Sequence, residues 1–235
     1  MNGRALGSPR EGRALVVPTR VPAELTGRGG TVGVVLVHDI FGRGPYMRSV
    51  ADALESAGVP SASVDLFGGT VPRTVEEGMQ LREAVTDEHA LATLDEARVA
   101  LGTRLTGPAR VGTLGFCMGG GVALLGACHR PFDFAVDYYG RIARAEDVSG
   151  LGGPLLLVLA SEDERITPWA LQELLPAAHR AQRRVTVELF PGVRHAFHRP
   201  GGETYHAAAA AEAWRRTLTF LAEVGNGSGP RVAQS

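Results

Sequence analysis

Cys117 lies between paired glycines in Gly115-Phe116-Cys117-Met118-Gly119, directly after the strand-like segment Arg110 to Leu114 and directly before Val122 to Cys128, which continues as a helix. A nucleophile flanked in this way belongs on a tight strand-to-helix turn, where neighbouring residues must be small because backbone segments approach closely. Such a turn exposes the side chain at the C-terminal edge of a sheet. It also sets the sulfur at a helix N-terminus, where the dipole favours negative charge. The alternative is an ordinary glycine-rich turn with a buried cysteine. A phosphate cradle fits less well, because neither G-x-G-x-x-G nor G-x-x-x-x-G-K-[ST] is present. Cys128 follows eleven residues later. On one helix that is roughly 16 Å away at about 1.5 Å per residue, too far to pair with Cys117.

Two further residues complete a chemical set. Asp163, in LLLVLASEDERITP, follows an apolar strand at the end where loops carry function in open α/β sheets. Glu162 and Glu164 are its rivals, and a solvated acidic loop is the plain alternative. His195, in VTVELFPGVRHAFHRP, also follows a strand, with Pro191-Gly192 supplying a turn; His198 competes with it. The order matters more than any one residue. Nucleophile, acid and histidine at 117, 163 and 195, each after its own strand, is the order found in α/β hydrolases.

Those loops need a sheet to hold them. Val32 to Val37 is a short β-branched run and reads as a buried central strand. Pro60 to Asp65, Phe134 to Val136, Leu155 to Leu159 and Val185 to Leu189 read as further strands. Helices are expected over Pro45 to Ala57, from Thr74 (with Glu77 as a capping box), along Leu91, Leu94, Leu101 and Leu105, over Pro168 to Gln182 and over Glu203 to Val224. Trp214, Leu218 and Leu221 share a face of the last. An antiparallel start near Leu15 to Val21 is also read. Alternation of this kind predicts an α/β fold with a mainly parallel central sheet and helices on both faces, in a single domain over 1–235 with flexible ends near 1–12 and 225–235.

Composition excludes several classes. The chain has 235 residues with 24 Lys+Arg against 25 Asp+Glu, a net charge of -1, so no basic excess points to nucleic acid or an anionic membrane. No apolar run reaches the roughly 20 residues of a membrane span. MNGRALGSPREGRA has no apolar stretch before Leu15, so a secretory signal is not expected, and the reading is a cytoplasmic protein. Two cysteines supply neither a disulfide framework nor a cysteine-rich metal site. No metal or cofactor is expected.

From roughly Val32 to Leu221 the chain resembles the dienelactone hydrolase family of the α/β-hydrolase fold. The resemblance rests on VVLVHDIFG, GFCMGGG, DYYG, the Asp163 loop and RHAFHRP. It implies Cys117 as nucleophile, His195 as general base and then acid, and Asp163 as the residue that orients His195. It implies an oxyanion hole from the backbone N–H groups of Ile40 and Met118, and a small-molecule ester or lactone as substrate. Asp39 stands where many members carry a glutamate that interacts with the cysteine and helps to switch the thiol on; being one methylene shorter, it is expected to lose that contact or make it through water, and a structural cap on the loop after the strand is the alternative. Arg199 matches one of two arginines that hold a substrate carboxylate in the family's prototype. No arginine occupies the other's place near Val75; Arg73 and Arg82 are out of register. Tyr138 and Tyr139 match the family's strand end; the resemblance sets Tyr138 at the pocket, and packing under it is the alternative for both. Within the family, a lactone or aryl esterase of a biosynthetic pathway is the alternative substrate class. A catalytically silent α/β-hydrolase acting as a binding protein is the alternative of another class.

Overall fold

The computed structural model of the chain describes residues 20–142, 147–166 and 168–227. Its strands are β1 (Val21–Thr26), β2 (Val32–Val37), β3 (Ser61–Asp65), β4 (Arg110–Phe116), β5 (Ala135–Tyr138), β6 (Leu155–Ala160) and β7 (Val185–Phe190). Its helices are α1 (Pro45–Ser56), α2 (Val75–Ala84), α3 (Asp87–Gly102), α4 (Met118–His129), α5 (Pro168–Arg180) and α6 (Ala207–Gly225), with a short 3-10 turn at Asp147–Gly150.

All seven strands form one sheet in the order β1-β3-β2-β4-β5-β6-β7. Only β1 runs antiparallel, against β3; every other pairing is parallel. The expected mainly parallel α/β sheet is therefore present. The central strands carry no alternation because both faces are covered: every residue of β2 and of β6 is buried. One apolar layer, with Leu94, Ala97 and Leu101 of α3 and Leu124 of α4, packs on one face. The other layer, with Met47, Val50, Ala51 and Leu54 of α1 and Leu221 and Val224 of α6, packs on the opposite face. Each such Leu or Val, if fully buried, contributes about 1.5–3 kcal/mol relative to exposure.

Several boundaries differ from the sequence reading. The antiparallel strand lies at Val21–Thr26 rather than Leu15 to Val21, and 15–19 fall outside the described residues. Helix α4 begins at Met118, a full turn before Val122, because the glycines after the elbow are helical rather than a lead-in. Glu77 does not close a capping box on Thr74. Thr74 Oγ1 accepts from Glu77 N as expected, but Glu77 Oε2 reaches one residue further back, to the N–H of Arg73. Leu105 lies past the end of α3, yet still packs on the same apolar layer. The last helix starts at Ala207, capped by the His206 ring, rather than at Glu203, and Trp214, Leu218 and Leu221 do face the core. It extends to Gly225; of the expected flexible ends 1–12 and 225–235, residues 1–12 and 228–235 lie outside the described residues. Among the described residues no helix is long and apolar enough to cross a membrane.

Candidate active site

The sheet register brings three loops to one edge. Phe116, the last residue of β4, pairs with Tyr138 at the end of β5. The next residue, Cys117, donates its N–H to the Tyr138 carbonyl at 2.9 Å. The chain then turns sharply: Cys117 has φ 54 and ψ -117, and α4 starts at the following residue. For a residue with a Cβ this conformation is costly and persists only where the surroundings impose it. The surroundings here are two close backbone approaches. A Cβ on Gly115 would lie 1.9 Å from the Gly119 carbonyl oxygen, and one on Gly119 would lie 2.3 Å from that of His38. The glycines are therefore required for α4 to leave β4 at this angle.

The loops after β6 and β7 are tied to each other. Ser161 N donates to the Phe190 carbonyl, Glu162 N to the Val193 carbonyl, and Gly192 N to Ser161 Oγ, at 2.9, 3.0 and 2.9 Å. These bonds carry Asp163 and His195 into contact. His195 Nδ1 lies 2.8 Å from Asp163 Oδ2, and His195 Nε2 lies 3.1 Å from Cys117 Sγ. The other carboxylate oxygen, Asp163 Oδ1, accepts from the N–H groups of Arg165 and Ile166 at 2.8 and 3.2 Å. Behind His195 the ring of Tyr139 stacks edge-on with centroids 5.2 Å apart. Thr204 Oγ1 donates to the His195 carbonyl at 2.6 Å, closing the 195–204 loop.

The electrostatics follow from these contacts. Burial opposes a charge on His195, but its hydrogen bonds to Asp163 and Cys117 outweigh that and push its pKa up to about 9. Burial likewise opposes the Asp163 carboxylate, and the bonds from His195, Arg165 and Ile166 outweigh it, so its pKa is lowered. The rivals separate clearly. Glu162 and Glu164 are exposed. His198 is enclosed among Tyr46, Phe116, Tyr138 and Trp214, with its Nδ1 2.8 Å from Tyr46 Oη. Burial without a charged partner drives its pKa down to about 4.

Cys117 and His195 open onto a cavity of about 460 Å³. Ile40, Phe41, Val75 and Ala196 give it apolar walls, and Asp39, Glu162, Glu164, Arg165, Arg194, Arg199 and Glu203 supply charge. Asp39 does not bond to Cys117. Its Oδ1 accepts from Phe41 N at 2.8 Å and its Oδ2 from Arg199 Nε at 3.0 Å. Arg199 lines the cavity as a partner of Asp39, with its guanidinium 4.0 Å over the Phe41 ring. Tyr138 is a correction: it is fully buried and its hydroxyl meets Thr217 Oγ1 at 2.6 Å, so it packs under the cavity instead of lining it. Ile40 lines the cavity, and Met118 opens α4 beside Cys117. Among the described residues no internal hydrogen bond takes the N–H of either.

Nothing in the sequence marks Thr204 or Phe41. Their roles depend on backbone carbonyls and ring faces that only the folded loops present. Among the described residues no cluster of three or more His, Cys, Asp or Glu is arranged to hold a metal ion.

The chain is similar to known proteins over most of its length. The model of the "Dienelactone hydrolase family" matches residues 23–225. A "Putative carboxymethylenebutenolidase" of Saccharolobus solfataricus is 31% identical over 153 residues, covering 65% of this chain and 58% of that protein. The chain thus spans little more than half the length of that relative. The "Carboxymethylenebutenolidase" of Pseudomonas putida is 27% identical over 216 residues, covering 87% of this chain and 88% of that one. The crystal structure of a "Putative Dienelactone Hydrolase" from Klebsiella pneumoniae superposes with a TM-score of 0.75 at 23% identity, over 83% of this chain and 88% of that one. With the family model spanning most of its length, this chain belongs to the dienelactone hydrolase family and is a lactone or ester hydrolase built on the α/β-hydrolase fold.

Proposed function

We propose that the chain hydrolyses a small ester or lactone through a thioester on Cys117, with His195 and Asp163 completing the triad. The observation that carries this reading is the continuous series Cys117 Sγ, His195, Asp163, at 3.1 and 2.8 Å, opening onto the cavity. His195 Nε2 takes the thiol proton and the sulfur attacks the substrate carbonyl carbon. Negative charge then develops on the carbonyl oxygen. The N–H groups of Ile40 and Met118 are the donors available to it, and removing one such donor typically costs about 2.7–4 kcal/mol of barrier. As the tetrahedral species collapses, the bond from carbon to the leaving oxygen breaks and His195 returns the proton to that oxygen, as an alcohol, an enol or the opened end of a lactone. His195 next deprotonates a water, which attacks the thioester. The second collapse releases the acid and restores the thiol. Asp163 holds the imidazole with Nδ1 protonated throughout and stabilises the imidazolium. These steps call on no metal or cofactor.

The cavity's charge balance bears on the substrate. Arg165, Arg194 and Arg199 face four carboxylates, Asp39, Glu162, Glu164 and Glu203. A substrate carboxylate would share Arg199 with Asp39, so the wall is not strongly cationic. A neutral lactone or ester fits this balance, with the outer nitrogens of Arg199 donating to one of its oxygens. The test is a panel of small esters and lactones, with and without a carboxylate, run on the wild type and Cys117→Ala. Turnover of neutral members that vanishes in Cys117→Ala supports the reading. Undiminished turnover in Cys117→Ala refutes the nucleophile, and turnover confined to carboxylated members refutes the substrate class.

A further inference from the structure

The side chain of His38 is fully buried at the end of β2, outside the cavity, and plays no part in the steps above. Both of its ring nitrogens are engaged. Nε2 lies 2.9 Å from the N–H of Leu66, just after β3, and Nδ1 lies 2.6 Å from the carbonyl oxygen of Asp39. A backbone N–H can only donate and a carbonyl can only accept. Nε2 is therefore the bare nitrogen, and Nδ1 carries the hydrogen and donates it to Asp39 O. The tautomer is thus fixed by two opposite backbone groups, and burial keeps the ring neutral by lowering its pKa.

The carbonyl that His38 holds is half of the Asp39–Ile40 peptide unit, and the other half is the Ile40 N–H. The described residues contain no cis peptide bond, so the two halves point in opposite directions. Gly42 N adds a second bond to the same carbonyl oxygen at 3.2 Å. The next carbonyl along, Ile40 O, is also confined: a Cβ on Gly78 of α2 would sit 2.2 Å from it, so the helix backbone lies against it. From this we infer that His38 is a positioning residue for the oxyanion hole: by drawing the Asp39 carbonyl away from the cavity, it aims the Ile40 N–H at the substrate oxygen. This rests on the thioester reading above, which assigns Ile40 that donor role.

Two substitutions divide the ring's functions. An asparagine amide nitrogen occupies the place of Nδ1, so His38→Asn keeps the donor to Asp39 O and loses the acceptor for Leu66 N. A glutamine side chain reaches the place of Nε2, so His38→Gln keeps an acceptor for Leu66 N and loses the donor to Asp39 O. A purely structural histidine would make both variants lose stability and activity together. The positioning role predicts that His38→Gln loses kcat on a small ester by about tenfold to a hundredfold, up to the loss seen when an oxyanion donor is removed, with KM little changed. His38→Asn stays within about tenfold of wild type. Alkylation of Cys117 by iodoacetamide builds no oxyanion, so its rate in folded His38→Gln should match the wild type. Wild-type kcat in folded His38→Gln overturns the inference, as does a parallel fall in alkylation and hydrolysis. If His38→Gln does not fold, His38→Asn decides alone: folded and within about tenfold supports positioning, folded and a hundredfold down overturns it. Cys117→Ala in parallel separates the two proposals, because an active Cys117→Ala removes the thioester reading whereas an inactive one beside a fully active His38→Gln removes only this one.

Discussion

Arg199 donates its Nε–H to Asp39 Oδ2 across 3.0 Å while its guanidinium covers the Phe41 ring. Asp39 and Arg199 are distant in sequence, yet they meet in the cavity wall, and Asp39 is almost fully buried. The pair is one part of the charged lining of the cavity. Removing the arginine strands a buried carboxylate that, among the described residues, keeps only the Phe41 N–H. Arg199→Ala should therefore lower stability by about 1.5–3 kcal/mol, the range for hydrogen bonds to charged groups. Asp39→Asn should act in the other sense on specificity, because it releases the arginine's charge into the cavity. Its kcat/KM ratio for carboxylated over neutral esters should rise by roughly fivefold, equivalent to about 1 kcal/mol. An unchanged ratio in Asp39→Asn would mean that Arg199 does not face the substrate.

His195 should leave a signature in stability against pH. Its pKa of about 9 in the folded chain lies above the ordinary 6.5, so the folded state holds this proton more tightly than the unfolded state does. The stabilisation it provides is full below about pH 6.5 and is lost as pH rises through about 9. Asp163→Asn removes one of its causes. The difference in Tm between wild type and Asp163→Asn should be larger near pH 6.5 than near pH 9. NMR titration of the His195 ring should also show its pKa falling in Cys117→Ala, because Cys117 is a second cause. A stability difference that grows with pH across this window would contradict the assignment.

Strain at the elbow can be measured separately from chemistry. Cys117→Ala and Cys117→Gly both remove the sulfur, but only glycine adopts φ 54 with ψ -117 without a Cβ penalty. Cys117→Gly should therefore unfold at a higher temperature than Cys117→Ala, by an amount equivalent to about 1–3 kcal/mol less any entropic cost of glycine. Equal melting temperatures would mean that the turn is unstrained.

The legibility of this site in the sequence was uneven, for physical reasons. Cys117, Asp163 and His195 could be read because each follows a strand, and strand ends in a parallel sheet converge on one edge. The glycines around Cys117 were equally readable, since they mark places where two backbones touch. The partnership of Asp39 with Arg199 left no sequence trace, because it depends on how the 195–206 loop folds back over Phe41. His38 belongs to no chemical pattern in the sequence; its ring meets two backbone groups that no side-chain pattern reports. Resemblance points Tyr138 at the pocket, but strand alternation turns successive side chains to opposite faces, and its hydroxyl goes to Thr217. The start of α4 at Met118 is hidden in the sequence because Gly119, Gly120 and Gly121 are poor helix formers, and close packing decides their conformation instead.

The central claim is that a thioester forms on Cys117, and mass spectrometry of the acid-quenched protein tests it directly. An activated aryl ester mixed with the enzyme and quenched within the first turnovers should leave one acyl group, located by peptide mapping on Cys117. Cys128, whose thiol is buried and pushed up to about 12 by that burial, should carry none. His195→Ala should acylate far more slowly, and Cys117→Ala not at all. An acyl group on another residue, or hydrolysis that proceeds at the wild-type rate in Cys117→Ala, would contradict the account.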